Sequence, residues 1–340
     1  MSPARLELSR DQILAYRRRV QSLDERMPAG EASLRRAAWA GLQDSMPRAA
    51  LLQIHARVEG ADPSSWEAPS LVQLWGPRFS VYVVDRRDLA AFSLGRLPEE
   101  GPGRAVATDL ADRLRAAIGD RTVLHDDAGA ALDVHPNRLR YAATTGTLLI
   151  RWGGARQATL RIVPPPEIEP MAARLDLARR YLHVFGVATP AAFAEWAGIG
   201  PREAGAAFAA LEPELAPVRT PIGDGWILAD DEAAFAIPTQ PAAPARLLPS
   251  GDTYYLLQGA DRELLVPEAD RRARLWTSRV WPGAVLVGGE IAGTWRRAGP
   301  KVSVETFRRF SVDERGAVES EAEQLPLPDV AGRIRVTWEP

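Results

Sequence analysis

Cysteine is absent from this 340-residue chain and lysine nearly so: of 42 lysine and arginine residues, 41 are arginine and only Lys301 is lysine. Without thiols there is no disulfide framework, no thiolate nucleophile and no cysteine metal ligand. Imine chemistry needs an amine of lowered pKa, and here only Lys301 or the N-terminal amine can supply one. The four histidines, His55, His125, His135 and His183, show no H-x-x-x-H or H-E-x-x-H spacing, so neither a metal site nor a cofactor is expected. Long apolar runs are missing too. Stretches such as "AFAALE" and "TLLI" fall far short of the ~20 residues a membrane helix requires. The first twenty residues carry charges where a signal peptide has its apolar core. These absences lead to the expectation of a cytoplasmic protein with no membrane association.

What is present is an ordinary globular composition, 46% hydrophobic and 25% charged, with a formal net charge of -2. The length favours two to four domains. A charge near zero does not by itself favour an anionic partner, but the distribution of arginine matters more than the sum. The arginine excess itself fits a GC-rich, bacterial genome.

Periodicity divides the chain. "SRDQILAYRRRVQSL" opens with Ser9 and has Gln12 three residues on, a capping-box signature, followed by Ile13, Tyr16, Val20 and Leu23 at helical spacing. "EASLRRAAWAG" reads as a second helix and "PRAALLQIHARV" as a third starting at Pro47. "SLVQLWGPRFSVYVV" then switches to a hairpin around Gly76-Pro77. Three helices and a hairpin describe a winged helix. The plan recurs in "AVATDLADRLRAAIG", "HPNRLRYAATTG" and the hairpin "TLLIRWGGARQATLRIV". It recurs again, after "PPPEIEP", in three helices and the hairpin "LAPVRT"/"GWILA". Beyond "IPTQPAAPA", short β-rich runs including "RELLVP" and "KVSVETFRRFSV" point to a barrel-like domain. The expected fold is α+β: three tandem winged-helix units, at 1–102, 103–168 and 169–240, and a β-barrel-like C-terminal domain at 241–340.

Four segments, "GLQDSMPRAALL", "RRYLHVFGVATPAAFAEWAGI", "RLLPSGDTYYLL" and "PGAVLVGGEIAGTWRR", occur in an order and at separations that resemble the winged-helix DNA glycosylases of the AlkZ/YcaQ type. The resemblance spans nearly the whole chain. It implies a C-shaped protein that surrounds duplex DNA and excises alkylated bases or unhooks interstrand crosslinks. The damaged double strand would be the partner, and a monomer is expected.

The family's catalytic signature is glutamine, an apolar residue, then glutamine or aspartate. Here those positions are Gln43, Asp44 and Ser45. In an extended segment residues i and i+2 share a face and i+1 points away, so Gln43 and Ser45 can share a water while Asp44 turns aside. An N7-alkylated purine is cationic and its glycosidic bond already weakened, so a positioned water and an acceptor can suffice. The plainer reading of Asp44 or Ser45 before a helix is an N-cap; the two roles are compatible. For DNA contact, Arg48 lies in the first turn expected of the third helix, and Arg78 lies at the tip of the first hairpin. There the family often shows R-G-T-x-H; this chain has "RFSVY", with Phe79 for the glycine and Tyr82 for the histidine. Arg138, Arg140, Arg151 and Arg156 cluster on the second unit's last helix and hairpin, a layout suited to phosphates. Trp39, Trp75, Trp196 and Trp295 sit in apolar-periodic contexts and read as core. Three readings remain open: a monofunctional glycosylase acting without an imine, a non-catalytic DNA-binding protein of the same fold, and a regulatory module.

Overall fold

The capping box at Ser9 forms: its hydroxyl accepts from the Gln12 amide, and the Gln12 side chain bonds back to Ser9. In the structure, a computed structural model describing residues 5–154, 157–238, 241–328, 330 and 332–339, this cap separates strand β1 (Leu6–Glu7) from helix α1 (Arg10–Val20). Then come α2 (Glu31–Ala37), β2 (Leu42–Gln43), α3 (Ala49–Arg57), β3 (Leu71–Trp75), β4 (Val81–Asp85) and the short α4 (Leu89–Phe92). Helix α3 starts two residues after Pro47, because Arg48 is in the left-handed region at φ 67° and cannot continue a helix backwards.

The second group holds α5 (Pro102–Ile118), β5 (Val123–Leu124), α6 (His125–Leu132), a 3-10 run at Pro136–Thr145, β6 (Leu148–Arg151) and β7 (Thr159–Ile162). Its hairpin does not stand apart from the first. Strand β3 pairs antiparallel with β4 on one side and with β6 on the other, through Gln73 opposite Ile150. A single six-stranded sheet of order β2-β4-β3-β6-β7-β5 results. All five residues of β3 are buried; four of "LVQLW" are apolar, and the fifth, Gln73, is hydrogen-bonded through both side-chain polar atoms.

The third group holds α7 (Pro170–Phe185), α8 (Pro190–Ala197), α9 (Pro201–Ala210), the hairpin β8 (Leu215–Thr220)/β9 (Gly223–Leu228) and α10 (Glu232–Phe235). Thr189 caps α8 by accepting from the Ala192 amide. Strand β1 joins this hairpin in parallel, with Leu6 opposite Val218. Helix α1 follows it: Ile13 and Tyr16 pack with Val187, Val218, Ile227 and Phe235, and the Tyr16 and Phe235 rings stack at 3.8 Å.

The last group contains β10 (Ala245–Leu248), α11 (Asp261–Leu265), α12 (Ala269–Leu275), β11 (Gly283–Val287), β12 (Glu290–Ala298), β13 (Lys301–Thr306), α13 (Val312–Glu323) and β14 (Arg335–Glu339). Two sequence expectations are corrected. "RELLVP" is largely helix α11, since straight-chain Arg, Glu and Leu favour a helix over a strand. The sheet, order β10-β11-β12-β13-β14, is open and not a closed barrel. Strands β13 and β14 run parallel, so the chain needs a crossover between them. That crossover is α13, begun by a capping box of Ser311 and Glu314 and packed against both β10 and β14. Among the described residues no helix is long and apolar enough to cross a membrane.

Candidate active site

Strand β2 places Gln43 opposite Tyr82 and Leu42 opposite Val83 at the edge of the six-stranded sheet. The alternation expected of an extended segment holds. Gln43 and Ser45 line one cleft, of about 390 Å³, together with Arg78, Ser250, Arg279 and Trp281. Asp44 points the other way and is 1% exposed.

Asp44 is tied down on both carboxylate oxygens. Oδ1 accepts from the Ala50 amide at 2.9 Å, satisfying a free N–H of α3, and Oδ2 accepts from Gln73 Nε2 at 2.8 Å. Gln73 Oε1 in turn accepts from the Trp152 amide at 2.7 Å, so Asp44 links α3, β3 and the second hairpin. Burial pushes its carboxyl up to about 7, against the opposing pull of these hydrogen bonds and of Arg48 and Arg151. Asp44 therefore does not present a carboxylate to the cleft. Ser45 is exposed; it is not the residue that caps α3.

Gln43 is held from two directions. Its carbonyl oxygen accepts from Gln53 Nε2 at 2.8 Å, and its side-chain Oε1 accepts from Arg78 Nη2 at 3.2 Å. Arg78, at φ 53°, also donates to the Trp196 carbonyl at 3.0 Å. The hairpin tip is thus folded onto α8, where Gly198 allows the approach: a Cβ there would lie 2.9 Å from the Arg78 nitrogen. Phe79 is covered by the guanidinium of Arg96 at 4.8 Å and of Arg140 at 5.7 Å.

Another part of the cleft comes from the C-terminal group, where the sequence pointed to no site residue. The loop in "RLLPSGDTYYLL" lies against Gln43 at Gly251, whose φ is 76° and where a Cβ would stand 3.3 Å from the Gln43 amide. Buried Asp252 anchors this loop by a two-pronged ion pair with Arg57 of α3, at 2.7 and 2.8 Å. Thr253 bonds Gln53 Oε1 through both its amide, at 3.3 Å, and its hydroxyl, at 3.2 Å. The Gly-Asp pair flanked by apolar runs was the signal available for finding it.

The residues expected to touch DNA are scattered among different environments. Tyr82 is 0% exposed and packs against Phe92, with its ring filling the space beside Gly41 and Gly76; it is core, which corrects the expectation of a DNA contact. Arg48 and Arg151 both lie over the Trp66 ring, at 5.0 and 4.2 Å from its centre, and Arg151 is paired with Glu67. Arg138 is exposed, Arg140 half-buried against Phe79 and Tyr141, and Arg156 lies outside the described residues. Trp75, Trp196 and Trp295 are buried, as their periodic contexts require, whereas Trp39 is half-buried beneath the Arg180 guanidinium, 4.5 Å from its ring.

Comparison with known proteins agrees with this architecture. No curated protein sequence matches the chain. The solved structure of the Streptomyces sahachiroi DNA glycosylase AlkZ superposes with a TM-score of 0.79 at 19% sequence identity, covering 98% of this chain and 100% of that one; at that identity the likeness concerns the fold. A family model described as DNA glycosylase AlkZ-like matches residues 36–326. The chain belongs to the AlkZ-like DNA glycosylases.

Proposed function

We propose that this protein is a monofunctional glycosylase that binds damaged duplex DNA through its three helix-and-hairpin groups, acting as winged helices, and excises N7-alkylpurines. Gln43 and Ser45 hold the attacking water. Its oxygen bonds to C1′ of the deoxyribose as the C1′–N9 bond breaks, the purine leaves with the bonding electron pair, and the water's proton passes to solvent.

The observation that carries this reading is the composition of the cleft around Gln43: amide, hydroxyl and guanidinium groups, with no Asp, Glu, His or Lys among its lining residues. Such a site has no acid to protonate a departing base and no carboxylate to stabilise the oxocarbenium-like sugar. It therefore suits a base that already carries its own positive charge. Arg78 occupies one lone pair of Gln43 Oε1, leaving the other to accept from water. Unhooking of N7-linked crosslinks is an extension of the same chemistry. Lys301, the first residue of β13, belongs to a different element from those lining the cleft, so no covalent imine with abasic DNA is expected on borohydride treatment.

A second reading, DNA binding without chemistry, draws on Ser45, which offers water less than the family's glutamine or aspartate. Base release from duplex DNA carrying N7-methylguanine separates the two. Gln43→Ala is expected to lower release by about 100-fold or more, the scale of a lost positioning or general-base group, with DNA affinity little changed. Ser45→Asp, which places a carboxylate beside the water, is expected to raise release above wild type. Equal release by Gln43→Ala and wild type removes Gln43 from the chemistry.

A further inference from the structure

Large apolar side chains exposed to solvent are few among the described residues: Met46, Leu124, Ile168, Met171, Ile237, Val280 and Val312. Single exposed apolar residues are ordinary on protein surfaces. Two of these seven, however, line the same cleft as Gln43: Met46, 37% exposed, and Val280, 47% exposed. They come from parts of the chain more than two hundred residues apart, and each is displayed on a braced turn.

Met46 lies three residues beyond Gln43. Its carbonyl accepts from the Ala49 amide at 3.0 Å, and the next amide, that of Ala50, is held by Asp44. Val280 lies between α12 and β11. Its carbonyl accepts twice, from the Thr277 hydroxyl at 3.0 Å and from Arg296 Nη2 at 3.1 Å. Turn tips normally carry Gly, Asn, Asp, Ser or Pro; an apolar side chain fixed there in water has no folding reason in its own turn. Beside Val280 stands Arg279, exposed and without a hydrogen bond or ion pair among the described residues. An apolar residue next to a free guanidinium is the pairing with which proteins enter a DNA groove, the cation meeting phosphate while the apolar side chain slips between base steps.

We propose that Met46 and Val280 form a wedge that enters the base stack of duplex DNA as the damaged nucleotide is drawn toward Gln43. The inference rests on the reading of this cleft as the site of base excision. Drawing a base out of the stack toward Gln43 leaves a gap in the duplex, and filling that space with apolar atoms offsets the lost stacking.

The test uses the full-length chain and a duplex with 2-aminopurine next to a single N7-methylguanine, read by fluorescence on binding and by base release. Wild type and Gln43→Ala are expected to raise 2-aminopurine fluorescence, because unstacking does not require the chemical step. The double variant Met46→Ala/Val280→Ala is expected to lose that rise, and its ratio of release from duplex to release from single-stranded DNA is expected to fall by about tenfold. Val280→Ile, which keeps an apolar side chain, is expected to retain the rise. Base release by wild type with an unchanged fluorescence rise in the double variant overturns the wedge and leaves the glycosylase reading standing. A variant-sensitive rise without any base release supports the wedge and overturns the excision chemistry. Absence of both signals overturns both.

Discussion

On the side of Gln43 that faces α3, polar groups are matched with one another: Asp44 with Ala50 and Gln73, Gln53 with Gln43 and Thr253, Arg57 with Asp252 and Gln21. On the side that faces the cleft, Ser45 and Arg279 have no partner among the described residues, and Met46 and Val280 are exposed. The difference separates two jobs that share one tripeptide. A buried polar group left unpaired is costly, whereas an exposed one merely exchanges water. The lower layer therefore fixes where Gln43 stands, and the upper layer keeps its hydrogen-bonding capacity for whatever enters.

If that division is correct, damage to the lower layer appears as instability and damage to the upper layer as lost activity. The largest stability effect is expected for Asp252→Ala, which leaves the buried Arg57 guanidinium without its carboxylate. Breaking such a pair costs about 3–5 kcal/mol, measurable by urea unfolding; a loss below about 1 kcal/mol would show that the loop at Gly251 is held by something else. Next comes Asp44→Ala, which frees the Ala50 amide and Gln73 together, at about 1–3 kcal/mol. Gln43→Ala, one residue away, should stay under about 1 kcal/mol. Equal losses in these two variants would merge the layers.

The raised carboxyl of Asp44 sharpens the contrast through pH. The folded chain keeps this proton to about 7, while the ordinary aspartate value is 3.8. Its contribution is fully present below about pH 4 and is lost as pH rises through about 7. The stability of wild type relative to Asp44→Asn should accordingly fall across that interval, by at most about 1.4 kcal/mol per pH unit, the slope for one proton. A flat difference between pH 4 and 8 in paired thermal melts would contradict a protonated, buried Asp44. The smallest effect is expected for Ser45→Ala, within ±0.5 kcal/mol by the same unfolding measurement, since the cap of α3 belongs to Asp44 and not to Ser45.

Features governed by neighbours in sequence were legible before the structure. The cap at Ser9 involves Gln12, three residues on, and the three hairpins announce themselves by a change of period around glycine and proline. The alternation of Gln43, Asp44 and Ser45 followed from extended geometry alone. The capping box of Ser311 and Glu314 carries the same local signal for α13, but the β-rich runs around it mask the helix. What depended on distant partners was illegible. Nothing near Arg78 says that its guanidinium turns back to Gln43 and Trp196. Tyr82 stood at the family's histidine position, and only its packing against Gly41, Gly76 and Phe92 shows that it is core. The merging of two hairpins through Gln73 and Ile150 likewise joins residues that no short window contains.

Strand β1 and helix α1 carry a consequence for how the chain is made. Leu6 finds its strand partner at Val218, and Tyr16 its ring partner at Phe235. During synthesis about two hundred further residues must emerge before this segment can settle, and until then its apolar face has no home. Residues 6–20 therefore dock only after the third group has been made. A ribosome-bound intermediate ending near residue 200 is expected to leave residues 6–20 open to proteases and chaperones, while α2, α3 and the six-stranded sheet are already assembled around residues 31–162.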